Sequence, residues 1–184
     1  ITGSNASLLS RELGTKLTGR HISKELYPLS YKEFLRFRSL TPCAESFMEY
    51  LRDGGFPEFV RTGNQDVLTA LFDDILYRDI AVRYGIRDVV SLKALLLYLA
   101  ANFGNLASAN KLAGMVGIKT GKTALEYLSY FEEAYFISRM PKFSWSLKAQ
   151  YVNPQKIYFI DTALSQAVTV SFTGNTAVSY THLT

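Results

Sequence analysis

The segment Gly117 to Thr123 comes closest in this chain to a motif with a chemistry of its own. It reads Gly-Ile-Lys-Thr-Gly-Lys-Thr and resembles the loop G-x-x-x-x-G-K-[ST], whose backbone amides cradle phosphates while the lysine neutralises charge. The spacing is one residue short, because the position five before Gly121 is Val116, and the preceding residues predict a helix where the motif follows a strand. We therefore expect a turn between two helices, with no nucleotide-binding role for Lys122.

The sequence offers neither a pair of cysteines for a disulfide nor a cluster of metal ligands. Cys43 is the single cysteine, and His21 and His182 lie far apart without carboxylates at ligand spacing. A formal charge of +4 and a pI near 9.1 permit an acidic partner such as nucleic acid, although so small an excess is also common on solvated surfaces. No stretch approaches the roughly 20 apolar residues of a membrane span. We expect a cytoplasmic globular protein.

The elements that would position functional residues change in character along the chain. Leucine spacing predicts a helix over residues 7–17, and a short strand is expected over 22–29. Ser30 and Glu33 form a capping box that starts a helix through Phe37. This order of helices and strands favours the trailing edge of an α/β sheet.

Helices dominate after residue 42. They are predicted over 44–52, 66–84 and 89–102, the last very apolar and therefore assigned to a core. The first helix ends at residues 53–58, whose two glycines and one proline force a sharply shaped, non-helical backbone.

The strongest internal pattern lies between residues 108 and 161. Helices are predicted over 109–116 and 122–134 with a glycine turn between them, and β-rich segments over 135–143 and 156–161 follow. A helix-turn-helix followed by a β-hairpin is a winged helix.

A winged helix offers residues for contact with DNA. Lysines near the second helix could bind phosphates, and threonines at its start would lie near base edges. The residues so assigned are Lys119, Lys122, Lys148, Thr120 and Thr123. Three glutamates, Glu126, Glu132 and Glu133, make the second helix poorly basic, which favours contact with another protein or domain. Both kinds of partner stay open.

Four motifs, in order, resemble parts of one known family. They are Thr2-Gly3-Ser4, Gly19-Arg20, Tyr27 to Phe34, and Gly54-Gly55-Phe56-Pro57-Glu58, followed by Tyr77 to Ile80 and Lys156 to Asp161. In this order they resemble the second half of archaeal and bacterial P-loop ATPases of the AAA+ superfamily. That family joins an ATPase core to a C-terminal winged helix and a nuclease-like domain of unknown function. The resemblance covers residues 1–175.

The resemblance implies roles for residues in the first third of the chain. Thr2 or Ser4 would sense the γ-phosphate, although both could instead cap the following helix. Arg20 would act catalytically on phosphate charge, with a structural ion pair as the rival interpretation. Gly54, Gly55 and Pro57 would form a lid signature at the nucleotide base, whereas a helix-ending turn explains the glycines alone.

The nucleotide chemistry itself is expected upstream. The chain has no phosphate-binding loop and no apolar strand ending in adjacent acidic residues, so ATP and Mg²⁺ would be bound by the parent protein through a missing N-terminal half. This chain alone should not bind ATP tightly or hydrolyse it, and the acidic residues of a nuclease would lie beyond its end.

The expected fold is mainly α with a small β part. It divides into the C-terminal part of a P-loop ATPase core (1–38), a helical lid (39–88), a winged-helix domain (89–170), and a disordered or non-native tail (171–184). The predicted function is to couple nucleotide state to a protein or DNA partner. The alternative is a non-enzymatic winged-helix protein that binds DNA.

Overall fold

The structure is a computed structural model that describes residues 24–146, 149–150 and 153–173, with side chains through Thr169. The predicted helix over 7–17, and most of the 1–38 unit, lie outside these residues. Residues 24–30 are irregular and pair with no strand of the described sheet. The strand expected over 22–29 is therefore wrong for its described part. Its hydrogen bonds go instead to a turn and to side chains, as described below.

Four helices follow, of which three begin close to their predicted positions and one, the helix that begins at Pro57, was not predicted. They are α1 (Tyr31–Arg38), α2 (Ala44–Asp53), α3 (Pro57–Thr62) and α4 (Gln65–Asp73). The capping box is confirmed, because the Ser30 amide donates to the Glu33 carboxylate at 2.8 Å. Pro57 begins α3 at its first turn, where the missing amide hydrogen costs nothing. The non-helical backbone is thus shorter than the expected 53–58 and spans residues 54–56.

The long helix expected over 66–84 is divided. After α4 the backbone continues as a π-helical segment, Asp74–Val82. π-helix is rare and mostly limited to single turns, so a segment of this length is unusual. Its buried residues Leu76 and Ile80 still face the core. Nothing in the sequence signals the wider turn.

The second half alternates helices and short strands. The elements are α5 (Val89–Ala101), β1 (Leu106–Ala107), α6 (Ala109–Val116), α7 (Gly121–Glu133), β2 (Ile137–Met140) and β3 (Gln155–Phe159). The strands form an antiparallel sheet in the order β1-β3-β2, in which Ile137 is paired with Phe159 and Met140 with Lys156. Gly117 ends α6 in the left-handed conformation, so the glycine turn between the two helices is confirmed.

The last described helix, α8 (Thr162–Thr173), was not predicted. It packs against α2, α4 and α5, and Ala163, Leu164, Ala167 and Val168 are fully buried in it. The tail assigned to residues 171–184 begins inside this helix, and residues 174–184 lie outside the described part. The physical reason for the missed helix is its environment: an apolar segment of 12 residues without strong period is stabilised by packing from three sides.

One hydrophobic core joins the halves of the described chain. It runs from Leu68 of α4 through the π-helical segment, α5, α7 and β3 to Val168 of α8. Residues on both sides of the predicted boundary at 88 and 89 contribute to it, and that boundary stays a prediction. Phe34 is also fully buried, in a separate aromatic cluster with Tyr50 at 5.3 Å between ring centroids.

Within the described residues, no helix is both long and apolar enough to cross a membrane. The same residues contain no group of three or more His, Cys, Asp or Glu side chains that could hold a metal ion.

Candidate functional site

The most constrained part of the described chain is the turn at Gly54 and Gly55. Gly54 has φ +65° and ψ −158°, a conformation open essentially only to glycine. A Cβ placed on it would lie 2.3 Å from Oδ1 of Asp161 and 2.8 Å from Cβ of Ala163. A Cβ on Gly55 would lie 2.3 Å from the carbonyl oxygen of Leu29. Both glycines are therefore required by close approach of neighbouring groups.

Asp161 connects this turn to α8. Its Oδ2 accepts a hydrogen bond from the Gly55 amide at 2.7 Å, and its Oδ1 accepts from Ala163 at 2.9 Å and Leu164 at 3.3 Å. The carboxylate therefore caps α8 while it holds a turn 106 residues earlier in the chain. We call Gly54, Gly55 and Asp161 the glycine clamp.

Burial and hydrogen bonding act in opposite directions on the pKa of Asp161, and burial has the larger effect. Asp161 is 6% exposed. Burial raises the pKa of its carboxyl above the usual range, while the three backbone amides act in the opposite direction and offset only part of the rise. The clamp thus holds an acidic group whose charge is costly and whose oxygens are all used in binding the backbone.

A second contact ties residues before the clamp to the same turn. The Leu29 amide donates to the Gly55 carbonyl at 2.7 Å, and the Tyr50 hydroxyl donates to the Leu29 carbonyl at 2.9 Å. The segment that leads out of the N-terminal region is therefore bound to the clamp through its backbone, so its hydrogen bonds do not depend on the side chain at position 29.

The same segment is anchored a second time, four residues before Leu29. Glu25 accepts hydrogen bonds from the Tyr135 hydroxyl at 2.9 Å and from the Tyr27 hydroxyl at 3.0 Å, and the two tyrosine rings meet edge to face at 6.2 Å. Tyr135 lies between α7 and β2 with φ +58°, which is uncommon for a residue with a side chain. Residues 24–30 therefore connect the clamp with the end of α7.

A shallow cleft of about 480 Å³ lies beside α1 and α3. Its lining includes Phe37, Arg38 and Arg61. Arg38 is bound to the buried carboxylate of Asp53 at 3.1 Å, and Asp53 is also 2.7 Å from Arg52. The cleft offers an aromatic ring and guanidinium groups, but one of these groups is already engaged in an ion pair.

The residues predicted to contact DNA lie at the start of α7. Thr120 caps this helix, because its hydroxyl accepts from the Thr123 amide at 3.1 Å, and the two hydroxyls lie 3.0 Å apart. Lys119 is exposed. The Lys122 ammonium lies 3.9 Å from Glu126 on a side chain that is 87% exposed. The structure brings these four residues together at one solvent-exposed turn.

The other predicted residues divide into two groups. Gly54, Gly55 and Pro57 lie together at the clamp and the start of α3, where both glycines have partners within the chain. Thr2, Ser4, Arg20 and Lys148 lie outside the described residues.

Sequence reasoning missed Asp161 as a site residue. The available signal was an aspartate directly after an apolar strand and before Thr-Ala-Leu, which is typical of a helix cap. It missed the contact between Glu25 and Tyr135 as well, and no local pattern indicates a pair 110 residues apart.

Two family descriptions match this chain. The family described as "Domain of unknown function (DUF8612)" matches residues 44–175. The chain belongs to this family. A description named "AAA domain" matches residues 1–35, which indicates an N-terminus similar to P-loop ATPases.

Curated relatives extend the same similarity. An uncharacterized protein of Haemophilus influenzae is 33% identical over 175 residues, which is 89% of this chain and 44% of the relative. An uncharacterized protein of Methanocaldococcus jannaschii is 33% identical over 180 residues, covering 88% of this chain and 40% of the relative. The chain thus spans less than half the length of these relatives. No solved structure matches it.

Proposed function

We propose that this chain is the lid and winged-helix part of a P-loop ATPase of the AAA+ superfamily. In this proposal it couples the nucleotide state of an N-terminal half to a protein or DNA partner. The observation that carries the proposal is the path of residues 24–30, which lie within the AAA-like residues 1–35 and are bound to the clamp at Gly55 and to Tyr135 after α7.

The element order supports the winged-helix part of the proposal. Helix α5, strand β1, helices α6 and α7, and strands β2 and β3 follow one another, with β3 between the other strands. This order is the one expected of a helix-turn-helix completed by a three-stranded sheet.

The clamp supports the coupling part. A movement of residues 24–30 must act on Gly55 through the Leu29 hydrogen bond, and Gly55 is bound in turn to the cap of α8. Because α8 packs on α2, α4 and α5, the clamp offers one route from the N-terminal region into the core. Thr2 or Ser4 would sense the γ-phosphate, Arg20 would act on its charge, and Gly54 to Pro57 would move as the lid, as the family resemblance implies.

The test uses the full-length protein with its N-terminal half. We expect the full-length protein to hydrolyse ATP, and we expect Arg20→Ala to lower the rate by at least tenfold. Binding of a nonhydrolysable ATP analogue should change amide hydrogen exchange at residues 27–29, 54–56 and 161–164. Lys32→Ala, on the exposed face of α1, is the matched control and should change neither. A full-length protein that neither binds nor hydrolyses ATP refutes the proposal.

The second candidate, a non-enzymatic winged-helix protein that binds DNA, is favoured by the exposed turn of Thr120 and Lys122 alone. The reading frame before Ile1 separates the two proposals. An apolar strand followed by G-x-x-x-x-G-K-[ST] supports the ATPase, and an initiator Met close before Ile1 supports the alternative.

A further inference from the structure

One basic stretch of this chain enters the assigned functions only through Lys148. Residues 138–160 contain four cations and no aspartate or glutamate; the cations are Arg139, Lys142, Lys148 and Lys156. The stretch forms β2, β3 and the connection between them.

By contrast, α7 is a poor surface for phosphates. It carries one lysine, Lys122, and three glutamates. Arg139, which approaches α7 from β2, donates from Nε to Glu132 at 2.7 Å and is engaged there. Since like charges repel the phosphate backbone, nucleic acid is expected to avoid this helix face.

The hairpin displays aromatic rings that the core does not use. Trp145 is 94% and Phe143 74% exposed, and their rings meet edge to face with centroids 5.4 Å apart. Lys142 is exposed beside them. Contiguous exposed apolar groups rimmed by polar residues are typical of interaction sites.

The backbone presents these rings in a defined arrangement. The Gln150 side chain donates to the Ser144 carbonyl at 2.7 Å, between the two aromatic residues. On the adjoining sheet, exposed Met140 is paired with exposed Lys156, so these side chains are cross-strand neighbours. We define the hairpin surface as Met140, Lys142, Phe143, Trp145 and Lys156.

We propose that the hairpin surface binds single-stranded nucleic acid, with unpaired bases stacked on Trp145 and Phe143 and phosphates bound by Lys142 and Lys156. Cations interleaved with exposed rings match a strand that offers both phosphates and open base faces. In a duplex, by comparison, the base faces are covered by their neighbours. The proposal rests on the proposed function for its winged-helix frame and names the chemistry of the partner.

The test is direct because Trp145 is the only tryptophan of the chain. Titration of the full 184-residue chain with a dT20 oligonucleotide should quench its fluorescence and protect it from acrylamide. Anisotropy of labelled dT20, U20 and a 20-bp duplex then compares single-stranded DNA, RNA and duplex. We expect tighter binding of one or both single strands than of the duplex at the same salt concentration.

Variants separate stacking from charge. Trp145→Ala should weaken single-strand binding about 5- to 100-fold, and Lys142→Gln should lower the salt slope by about 0.7. Val82→Ala shortens another exposed apolar side chain, 77% exposed on the π-helical segment, and Lys32→Gln removes an exposed lysine of α1. Neither control should change binding.

Three results would overturn the proposal. They are a dissociation constant above about 100 μM for both single strands, an affinity that Trp145→Ala leaves unchanged, and a duplex bound as tightly as the single strands. The measurement needs neither ATP nor the N-terminal half. Its failure would therefore leave ATP coupling untouched, and loss of ATP hydrolysis would leave this binding intact.

Discussion

Replacement of Gly54 by alanine tests whether the glycine clamp is built as described. The added Cβ would meet Oδ1 of Asp161 at 2.3 Å and Cβ of Ala163 at 2.8 Å, both closer than real Cβ contacts. The backbone at φ +65° and ψ −158° is also strained for alanine. Strain of this kind costs about 1–3 kcal/mol, and an overpacked buried site costs about 1–3 kcal/mol more. We expect Gly54→Ala to lower the free energy of unfolding by about 2–6 kcal/mol.

Gly63→Ala is the matched control. Gly63 has φ +64°, but a Cβ there meets nothing within 4 Å. The left-handed conformation costs about 1–2 kcal/mol, and the loss of unfolded-state freedom returns about 0.4–1 kcal/mol. The control should therefore cost about 0–1.6 kcal/mol.

Urea unfolding followed by far-ultraviolet circular dichroism measures both variants in the 184-residue chain. Because Gly54→Ala could prevent folding altogether, the double variant with Asp161→Ala is measured too. Removal of the carboxylate relieves the closest contact, so the double variant should cost about 1 kcal/mol less than the sum of the single variants. Equal costs for Gly54→Ala and Gly63→Ala, within about 0.5 kcal/mol, would refute the clamp.

Three further predictions concern stability. Burial raises the pKa of Asp161, so as pH rises the unfolded chain loses this proton before the folded chain does. The free energy of unfolding of the wild type should therefore fall, relative to that of Asp161→Asn, as pH rises from about 4 through the raised pKa. A gain in stability over this range would contradict the prediction. Glu33 should behave in the opposite way, because the Ser30 hydrogen bonds lower its pKa. The urea midpoint of the wild type should fall, relative to that of Glu33→Gln, as pH falls from the ordinary glutamate range through the lowered pKa. Leu76→Ala and Phe131→Ala, on two sides of the shared core, should each cost about 2–5 kcal/mol in one cooperative transition, whereas two separate transitions would show two independent units.

Local signals were sufficient for much of the helical architecture. The capping box at Ser30, the glycine that ends α6 and the apolar composition of α5 are short-range features, so the order of residues along the chain predicts them. The turn at Gly54 and Gly55 was also visible as a bent segment. Its purpose was not, because the groups that require glycine there belong to Leu29 and Asp161.

The strand that was wrongly predicted and helix α8, which was not predicted, share a physical cause. The strand expected over 22–29 has strand-like composition, but a strand forms only where a neighbouring strand is available, and the Leu29 amide is bound by a turn instead. Helix α8 has weak period and is stabilised by three neighbouring helices. Both outcomes depend on partners distant in sequence, which propensity cannot supply.

For this protein, sequence alone determined most of the helices, the similarity to P-loop ATPases, and the positions of its glycines, lysines and aromatic rings. Tertiary structure decided which of these residues meet. It brought Asp161 to Gly55 across 106 residues and Tyr135 to Glu25 across 110, and it left Trp145 exposed while other rings were buried. The reason is that hydrogen bonds and burial are properties of pairs of groups in space, whereas a sequence pattern specifies only neighbours within a few residues.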